Sequence, residues 1–394
     1  MTWRASATAA PSSVVTAGSD PRVRLGGLSW AHFVNDGAAN FLPGVLPAIL
    51  VGLHLPIALA GTLMAALLVG QGLQPFVGLI GDRIGGRSLV LFGLLGSSLG
   101  AGLVGWVASP AALIAVLALI GVSNAMFHPQ ALAGVRQLAD TRQGLAMSIF
   151  LVGGEIGRGV WPVLAGLCVS LGGLAWLGLL AVPGLLSLAV VWSCAPALTP
   201  RSPQAEPIAW RIHIGPLARL VGYCALRAFV IFCSVTLLPL MWSADGGSLT
   251  AGASLITVLL VVGVFGNLSG GWLADRLGSR ALLIGSMLIV APCAAGLGWV
   301  DGIGLWVLTA VLGIALFATL PLTILIAQDV LPENRSFGSG LALGLANALG
   351  AVAVIGVGPL VDSAGAAAGF MLAAAAALAA AVLAIWVPQH ASNE

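Results

Sequence analysis

The sequence is short of charge, and lysine is absent from it. Only 7% of the 394 residues are Asp, Glu, Lys or Arg, against about a quarter in a soluble domain. All 15 basic residues are arginine, 59% of the chain is hydrophobic, and the mean hydropathy is +1.08. A globule of this composition could not cover its surface with polar groups. A soluble fold is therefore excluded, and lipid is expected to surround most of the chain.

Two motifs of common enzyme and pump sites are also missing. The sequence contains neither the HExxH zinc motif nor the GxxxxGK[ST] phosphate loop. Its five cysteines have no CxxC or CxxH spacing, lie in or beside apolar runs, and are expected to be buried hydrophobes. We therefore expect no enzyme activity, no metal site and no cofactor. The net charge of +2 argues neither for nor against nucleic acid, and no nucleic-acid partner is expected.

Apolar runs of about 20 residues, long enough to cross a bilayer, recur twelve times between Leu25 and Val387. The longest polar stretch among them is Ala195 to His213. These runs predict an all-α polytopic membrane protein of twelve transmembrane helices, six on each side of that stretch. The predicted domains are a disordered cytoplasmic tail at 1–24, an N-terminal six-helix bundle at 25–194, a cytoplasmic linker at 195–214, a C-terminal six-helix bundle at 215–387 and a cytoplasmic tail at 388–394.

The arginines predict the orientation. The first 20 residues have no apolar core of the kind that a secretory signal requires. With the N-terminus in the cytoplasm, every arginine except Arg158 and Arg227 falls in a cytoplasmic segment, and none falls in an outer loop. Because positive loops stay inside, both termini are expected in the cytoplasm.

An internal repeat relates the two halves. Residues 78–87 read GLIGDRIGGR and residues 271–280 read GWLADRLGSR, 193 positions later. At a shift of 192, Gly121 matches Gly313 and Pro129 matches Pro321. Equal spacing with equal topology predicts two parallel-duplicated bundles, related by an axis along the membrane normal.

The duplicated GxxxDRxGxR loop resembles the signature of the major facilitator superfamily. More narrowly, HFVND at 32–36, FHP at 127–129, GLAMSIFLVGG at 144–154 and AQDVLP at 327–332 resemble its fosmidomycin-resistance branch. The resemblance implies two bundles around a central cavity lined by helices 1, 4, 7 and 10, in the bacterial inner membrane. It also implies proton-driven drug export. Glu155 and Arg158 depart from the branch, in which neutral, small or amide residues are expected there.

The repeated loops are expected to act as gates. An acid that caps one helix and arginines that face another helix end can hold the two bundles together on the cytoplasmic side. The alternative is that these residues only anchor the topology. The predicted gating residues are Gly78, Asp82, Arg83, Arg87, Gly271, Asp275, Arg276 and Arg280.

Three acidic or titratable residues inside the membrane are expected to carry protons. Asp36 has His32 one turn earlier on the same helix face, and such a pair can exchange a proton near neutral pH. The alternative is a structural hydrogen-bonded pair. Glu155 lies three residues before Arg158, so the two form either a structural ion pair or a pair for which substrate or proton competes.

The substrate is expected to meet the remaining polar residues at membrane depth. Arg227 has no acid within four residues, so its partner is tertiary or a ligand. Two arginines at this depth favour an anionic or zwitterionic substrate. The predicted substrate-binding residues are Arg227, Arg158, His128, Asn124, Asn347 and Trp161.

The function predicted from the sequence is alternating-access transport. A proton-coupled antiporter that exports a small drug-like or anionic or zwitterionic compound is favoured, with the proton gradient as the energy source. The alternative is uptake of an organic anion by proton symport or by uniport. The expected partners are a small-molecule substrate, protons and the lipid bilayer, and the protein is expected to be a monomer.

Overall fold

The computed structural model of the protein describes residues 20–84, 86–138, 143–195, 210–332 and 335–389. Within these residues the chain is helical, without a β-strand. Twelve long helical stretches follow one another: α1 Pro21–Ala38, α2 Ile57–Gly78, α3 Arg87–Trp106, α4 Pro110–Leu138, α5 Gln143–Gly172, α6 Leu174–Cys194, α7 Trp210–Ala244, α8 Leu249–Leu277, α9 Ser279–Gly296, α10 Gly302–Val330, α11 Phe337–Ala364 and α12 Ala366–Ala384. The all-α polytopic fold class is thus confirmed.

Ten stretches in the described part of the chain are long and apolar enough to cross a membrane. The other two predicted spans, α1 and α5, form helices of 18 and 30 residues. Charged side chains lower their hydropathy, namely Asp36 with two arginines in α1 and the Glu155–Arg158 pair in α5. The charges of predicted site residues and a weak hydropathy signal therefore coincide in these two helices.

Two helices begin earlier than the sequence predicted. The helix α1 begins at Pro21, because the Asp20 side chain accepts a hydrogen bond from the Arg22 amide and proline suits the first turn. Residues 21–24 are therefore helical and not part of a disordered tail. Likewise α7 begins at Trp210, within the predicted linker. The remaining tail and linker predictions concern residues outside the described ranges.

The first span is interrupted. The first of the twelve apolar runs predicts one helix that begins at Leu25 and ends at Val51. In the structure α1 ends at Ala38 and a short 3-10 turn follows at Leu42–Gly44. A separate short helix then spans Leu46–Gly52. Pro43 and Pro47 lie at the starts of these two segments, where the missing proline amide breaks a continuous helical ladder.

Helix packing defines two groups and the contacts between them. In the first group α1 packs on α5 and α6, and α3 packs on α4 and α6. In the second group α12 packs on α7 and α9, and α8 packs on α10. The groups meet along two seams, α2 against α11 and α5 against α8. The predicted bundle boundaries stay predictions.

The helices of the two seams depart from regular α geometry. The helix α2 contains a 3-10 stretch at Val69–Leu73, whereas α8 and α11 contain π-helical stretches at Val258–Val262 and Leu341–Leu345. In the α2–α11 seam the two backbones nearly touch, since a Cβ added to Gly358 would overlap the carbonyl oxygen of Ala58. Only glycine allows this approach.

Candidate functional site

A buried cluster of three side chains joins α1 to α4. His32 Nε2 lies 3.3 Å from Asp36 Oδ2, and His128 Nε2 lies 3.1 Å from Asp36 Oδ1. The two histidine Nε2 atoms are themselves 3.2 Å apart. We call His32, Asp36 and His128 the histidine–aspartate cluster. Only 7% of Asp36 is exposed, so its charge depends on these neighbours.

Backbone and amide groups hold the cluster in place. His32 Nδ1 lies 2.7 Å from the Phe150 carbonyl oxygen, and His128 Nδ1 lies 2.9 Å from the Asn124 carbonyl oxygen. The Phe150 ring stacks on the His32 ring at 4.1 Å between centroids. Asn35 and Asn124 both donate amide hydrogens to Asp36 Oδ1, at 3.2 and 3.1 Å. The predicted substrate residues His128 and Asn124 are therefore grouped with the predicted proton carriers.

Glu155 and Arg158 form the predicted pair in α5. Arg158 Nη1 donates to Glu155 Oε1 over 3.4 Å, a long contact for a charged pair. The second carboxylate oxygen of Glu155 and Arg158 Nε are both buried without a hydrogen-bond partner in the described structure. The pair is thus only partly satisfied, and a further polar group could still bind it.

Arg158 lies at a cavity between the two groups of helices. This cavity is narrow, with room for about one water molecule (about 10 Å³), and is lined by α2, α5, α7 and α8 together with Asn40 and Pro43. Among the described residues that line it, Arg158 is the one charged side chain, and most of the others are apolar. The lining thus presents a single positive group among apolar side chains.

Arg227 is buried in α7. Its Nη1 donates to the hydroxyls of Thr319 and Thr323 in α10, at 3.0 and 3.3 Å, and the residue is 3% exposed. Arg227 is not among the ion pairs of the described residues. The two threonines were missed at the sequence level, although their spacing of four on a predicted cavity helix places both hydroxyls on one face.

Two predicted substrate residues lie in helix interfaces. Trp161 is 2% exposed, and its ring meets the edge of Phe33 and covers Gly37 of α1. Asn347 donates to Gln71 Oε1 over 3.1 Å across the α2–α11 seam. Neither contacts Arg158 or Arg227 through a described hydrogen bond, and their substrate roles stay predictions.

Three of the predicted gate residues, Gly78, Arg87 and Arg276, contact their own group of helices. Arg87 donates to the Ala195 carbonyl oxygen over 2.9 Å and lies over the Trp192 ring, while Arg276 stacks on Trp272 within α8. Gly78 approaches Pro129 of α4, and Gly271, Asp275 and Arg280 are exposed. The side chains of Asp82 and Arg83 lie outside the described set. Gating therefore stays a prediction.

Comparisons with known proteins agree on a family. The sequence profile described as the Major Facilitator Superfamily matches residues 28–355 and 220–394. The chain is 28% identical to YfnC of Bacillus subtilis, an uncharacterized MFS-type transporter, over 85% of both chains. It is 27% identical to the fosmidomycin resistance protein of Escherichia coli over 86% of both chains.

Solved structures agree on the fold. The nucleoside transporter NupG, solved as a point mutant, superposes with a TM-score of 0.75 at 15% identity, over 93% of this chain and 99% of NupG. A bacterial homolog of the human lysosomal transporter Spinster, solved inward-facing and unoccupied, superposes with a TM-score of 0.72 at 16% identity, over 94% and 96% of the two chains.

Proposed function

Because the chain belongs to the major facilitator superfamily and is a multi-pass membrane transporter, we propose that it exports a small anionic or zwitterionic compound in exchange for protons. Arg158 carries this proposal, as the charged group on the wall of the cavity between the two groups of helices. We place the protein in the bacterial inner membrane as a monomer with both termini in the cytoplasm. No cofactor is needed if the proton gradient supplies the energy.

Competition at Glu155 explains how export would be coupled to protons. The anionic end of a zwitterion would bind Arg158, whose Nε lacks a partner in the described structure. The cationic end of the same zwitterion would then pair with Glu155 Oε2, which also lacks a partner in the described structure. A proton on Glu155 removes that partner, so proton and substrate bind alternately, as exchange requires. Asp36 and His32 are the other proposed carriers.

Relatives supply a first substrate to test. Fosmidomycin is named for the relative from Escherichia coli, and its phosphonate presents the anionic group that Arg158 could bind. It has no cationic end to pair with Glu155, so it tests binding at Arg158 alone, and we expect the chain to raise fosmidomycin resistance in a hypersensitive strain. In proteoliposomes with an internal pH dye, adding a zwitterionic compound to which the chain also gives resistance should drive protons across the membrane opposite to the drug. Proton movement in the drug's own direction would instead favour symport, and drug movement without protons would favour uniport.

Two substitutions separate binding from coupling. Arg158→Gln should lower transport at least ~10-fold, since it removes a charged contact in a poorly solvated site. Glu155→Gln should abolish proton movement while drug-for-drug counterflow continues. Arg219→Gln is the matched control, because this exposed arginine contacts only the Trp386 carbonyl oxygen near the end of α12. Full coupled transport by Arg158→Gln would refute the proposed site.

A further inference from the structure

The two histidines of the cluster have their tautomers fixed by backbone carbonyl groups. A carbonyl oxygen only accepts hydrogen bonds, so each Nδ1 that contacts one must carry the hydrogen. In a neutral imidazole the other nitrogen, Nε2, then has no hydrogen and presents a lone pair. Both rings therefore aim bare Nε2 atoms into the cluster when they are neutral.

The lone pairs and the carboxylate converge on one point. The two Nε2 atoms are 3.2 Å apart, and each lies within 3.3 Å of an Asp36 oxygen. Three electron-rich groups at this separation repel one another unless a proton on one Nε2 or a metal ion lies between them. Asn35 and Asn124 donate to Asp36 Oδ1 and fix the carboxylate facing the rings. The arrangement is thus built around a positive charge.

The separations match those around a tetrahedral metal ion. Zinc binds imidazole nitrogen at about 2.0–2.1 Å and carboxylate oxygen at about 2.0–2.2 Å, so two ligands of a tetrahedral ion are about 3.3 Å apart. In the cluster both Asp36 oxygens face the rings: Oδ1 lies 3.1 Å from His128 Nε2, Oδ2 lies 3.3 Å from His32 Nε2, and the two Nε2 atoms are 3.2 Å apart. A metal-bound histidine also commonly donates its second ring nitrogen to a backbone carbonyl, as both rings do here.

We propose that His32, Asp36 and His128 bind a divalent transition-metal ion of the zinc class, which takes the place of the proton that Asp36 and His32 are proposed to carry. The ligands are the two Nε2 atoms and the carboxylate, and at least one coordination position stays open. Two imidazoles with one carboxylate favour Zn²⁺ or Co²⁺ over Mg²⁺, which prefers oxygen ligands. The His128 side chain is 16% exposed, against 4% for His32 and 9% for Asp36. The ion would therefore enter from the His128 side.

This site was not foreseen at the sequence level, where no metal-ligand cluster was expected. His32 and Asp36 are one turn apart, but His128 is 96 residues away from His32. Only the packing of α4 against α1 brings the third ligand to the other two. The spacing of the three ligands along the chain therefore did not predict the metal site.

The test uses the full chain, purified in detergent without a polyhistidine tag. Isothermal titration with Zn²⁺ should give one tight site per chain, and Mg²⁺ should give none. His32→Gln and His128→Gln should each weaken Zn²⁺ binding by at least ~100-fold, since each removes a direct ligand. His54→Gln is the matched control, because His54 is an exposed histidine outside the cluster, and it should leave the affinity unchanged.

A second measurement separates loss of a ligand from loss of folding. Both glutamine variants should keep the helical circular dichroism of the wild type while Zn²⁺ binding falls. With Co²⁺ the wild type should show the visible absorption band of a tetrahedral site, and the glutamine variants should not. The proposal is overturned if Zn²⁺ binds no more tightly than Mg²⁺. It is equally overturned if both glutamine variants keep the wild-type affinity, or if Co²⁺ gives the wild type no such band.

Discussion

Arg227 keeps its charge inside the membrane with hydroxyl partners in place of a carboxylate. The hydroxyl hydrogens of Thr319 and Thr323 go to the carbonyl oxygens of Leu316 and Leu320. Their lone pairs then accept from the guanidinium. Such bonds orient the arginine without neutralising it. The positive charge thus stays available to an anion, unlike that of an arginine in a close ion pair.

The two hydroxyls are expected to matter for substrate affinity. Replacing both in Thr319→Val/Thr323→Val keeps the branched shape but removes the acceptors, each worth about 1.5–3 kcal/mol when bonded to a charged group. We expect the KM for fosmidomycin to rise ~10-fold or more while the protein still folds. Uptake into inverted vesicles measures this.

Thr309→Val is the control for that pair. Thr309 is buried in the same helix, and its hydroxyl bonds the Leu305 carbonyl oxygen. The Thr309→Val variant should therefore leave the KM for fosmidomycin unchanged. An unaltered KM in the double variant would mean that Arg227 does not act in substrate binding.

Contacts within one helix could be predicted at the level of residues, and contacts between helices could not. His32 with Asp36 and Glu155 with Arg158 follow from spacings of four and three. The contact of His128 with Asp36 depends on how α4 packs against α1, which no short-range pattern encodes. The threonine partners of Arg227 depend in the same way on α10 packing against α7.

At the level of elements, the close contact between α1 and α5 depends on glycine. A Cβ at Gly157 would overlap the carbonyl oxygen of Phe33 in α1. Gly157→Ala should therefore push the two helices apart and cost about 1–3 kcal/mol, as overpacking does. The expected result is a lower temperature of aggregation in detergent, measured by size-exclusion chromatography after heating.

Gly26→Ala provides the comparison for this change. Gly26 also lies in a helix, but nothing lies within 4 Å of the added methyl group. Since alanine favours a helix more than glycine does, this variant should be as stable as the wild type. Equal stability of both variants would show that the close approach of α1 and α5 is not required.

Helix existence could be predicted from apolar length, but helix ends could not. Apolar runs reveal where the chain can cross lipid, and all twelve predicted spans correspond to helices. They do not reveal where backbone hydrogen bonds stop. The break after Ala38 follows from the prolines at 43 and 47. The early start at Pro21 follows from a capping aspartate.

At the level of the whole molecule, the α5–α8 seam can be tested by locking it. Ser170 and Thr250 face each other across it with their hydroxyl oxygens 3.4 Å apart, close enough for a disulfide after Ser170→Cys/Thr250→Cys. The background must first lose the free cysteines 168, 194, 224, 233 and 293. Oxidation should stop transport, and a reductant should restore it.

Ser170→Cys alone and Thr250→Cys alone are the controls, and each should transport under both oxidising and reducing conditions. Mass spectrometry of the digested protein measures how much is cross-linked. Undiminished transport by fully cross-linked protein would contradict the idea that this end of the seam opens during the cycle. The duplicated loops could be found by comparing the sequence with itself, whereas the residues that form the seams required the structure.

The π-helical stretches in α8 and α11 have a kinetic consequence. A π turn contains one residue more than an α-helical turn, because its hydrogen bonds join residues five apart. The extra residue can move along the helix when one hydrogen bond at a time is exchanged. Each seam contains one such helix. A helix could therefore slip against its partner by about 1.5 Å, one residue's rise, without melting. The rate at which these hydrogen bonds exchange would then limit how fast the two seams rearrange during the transport cycle.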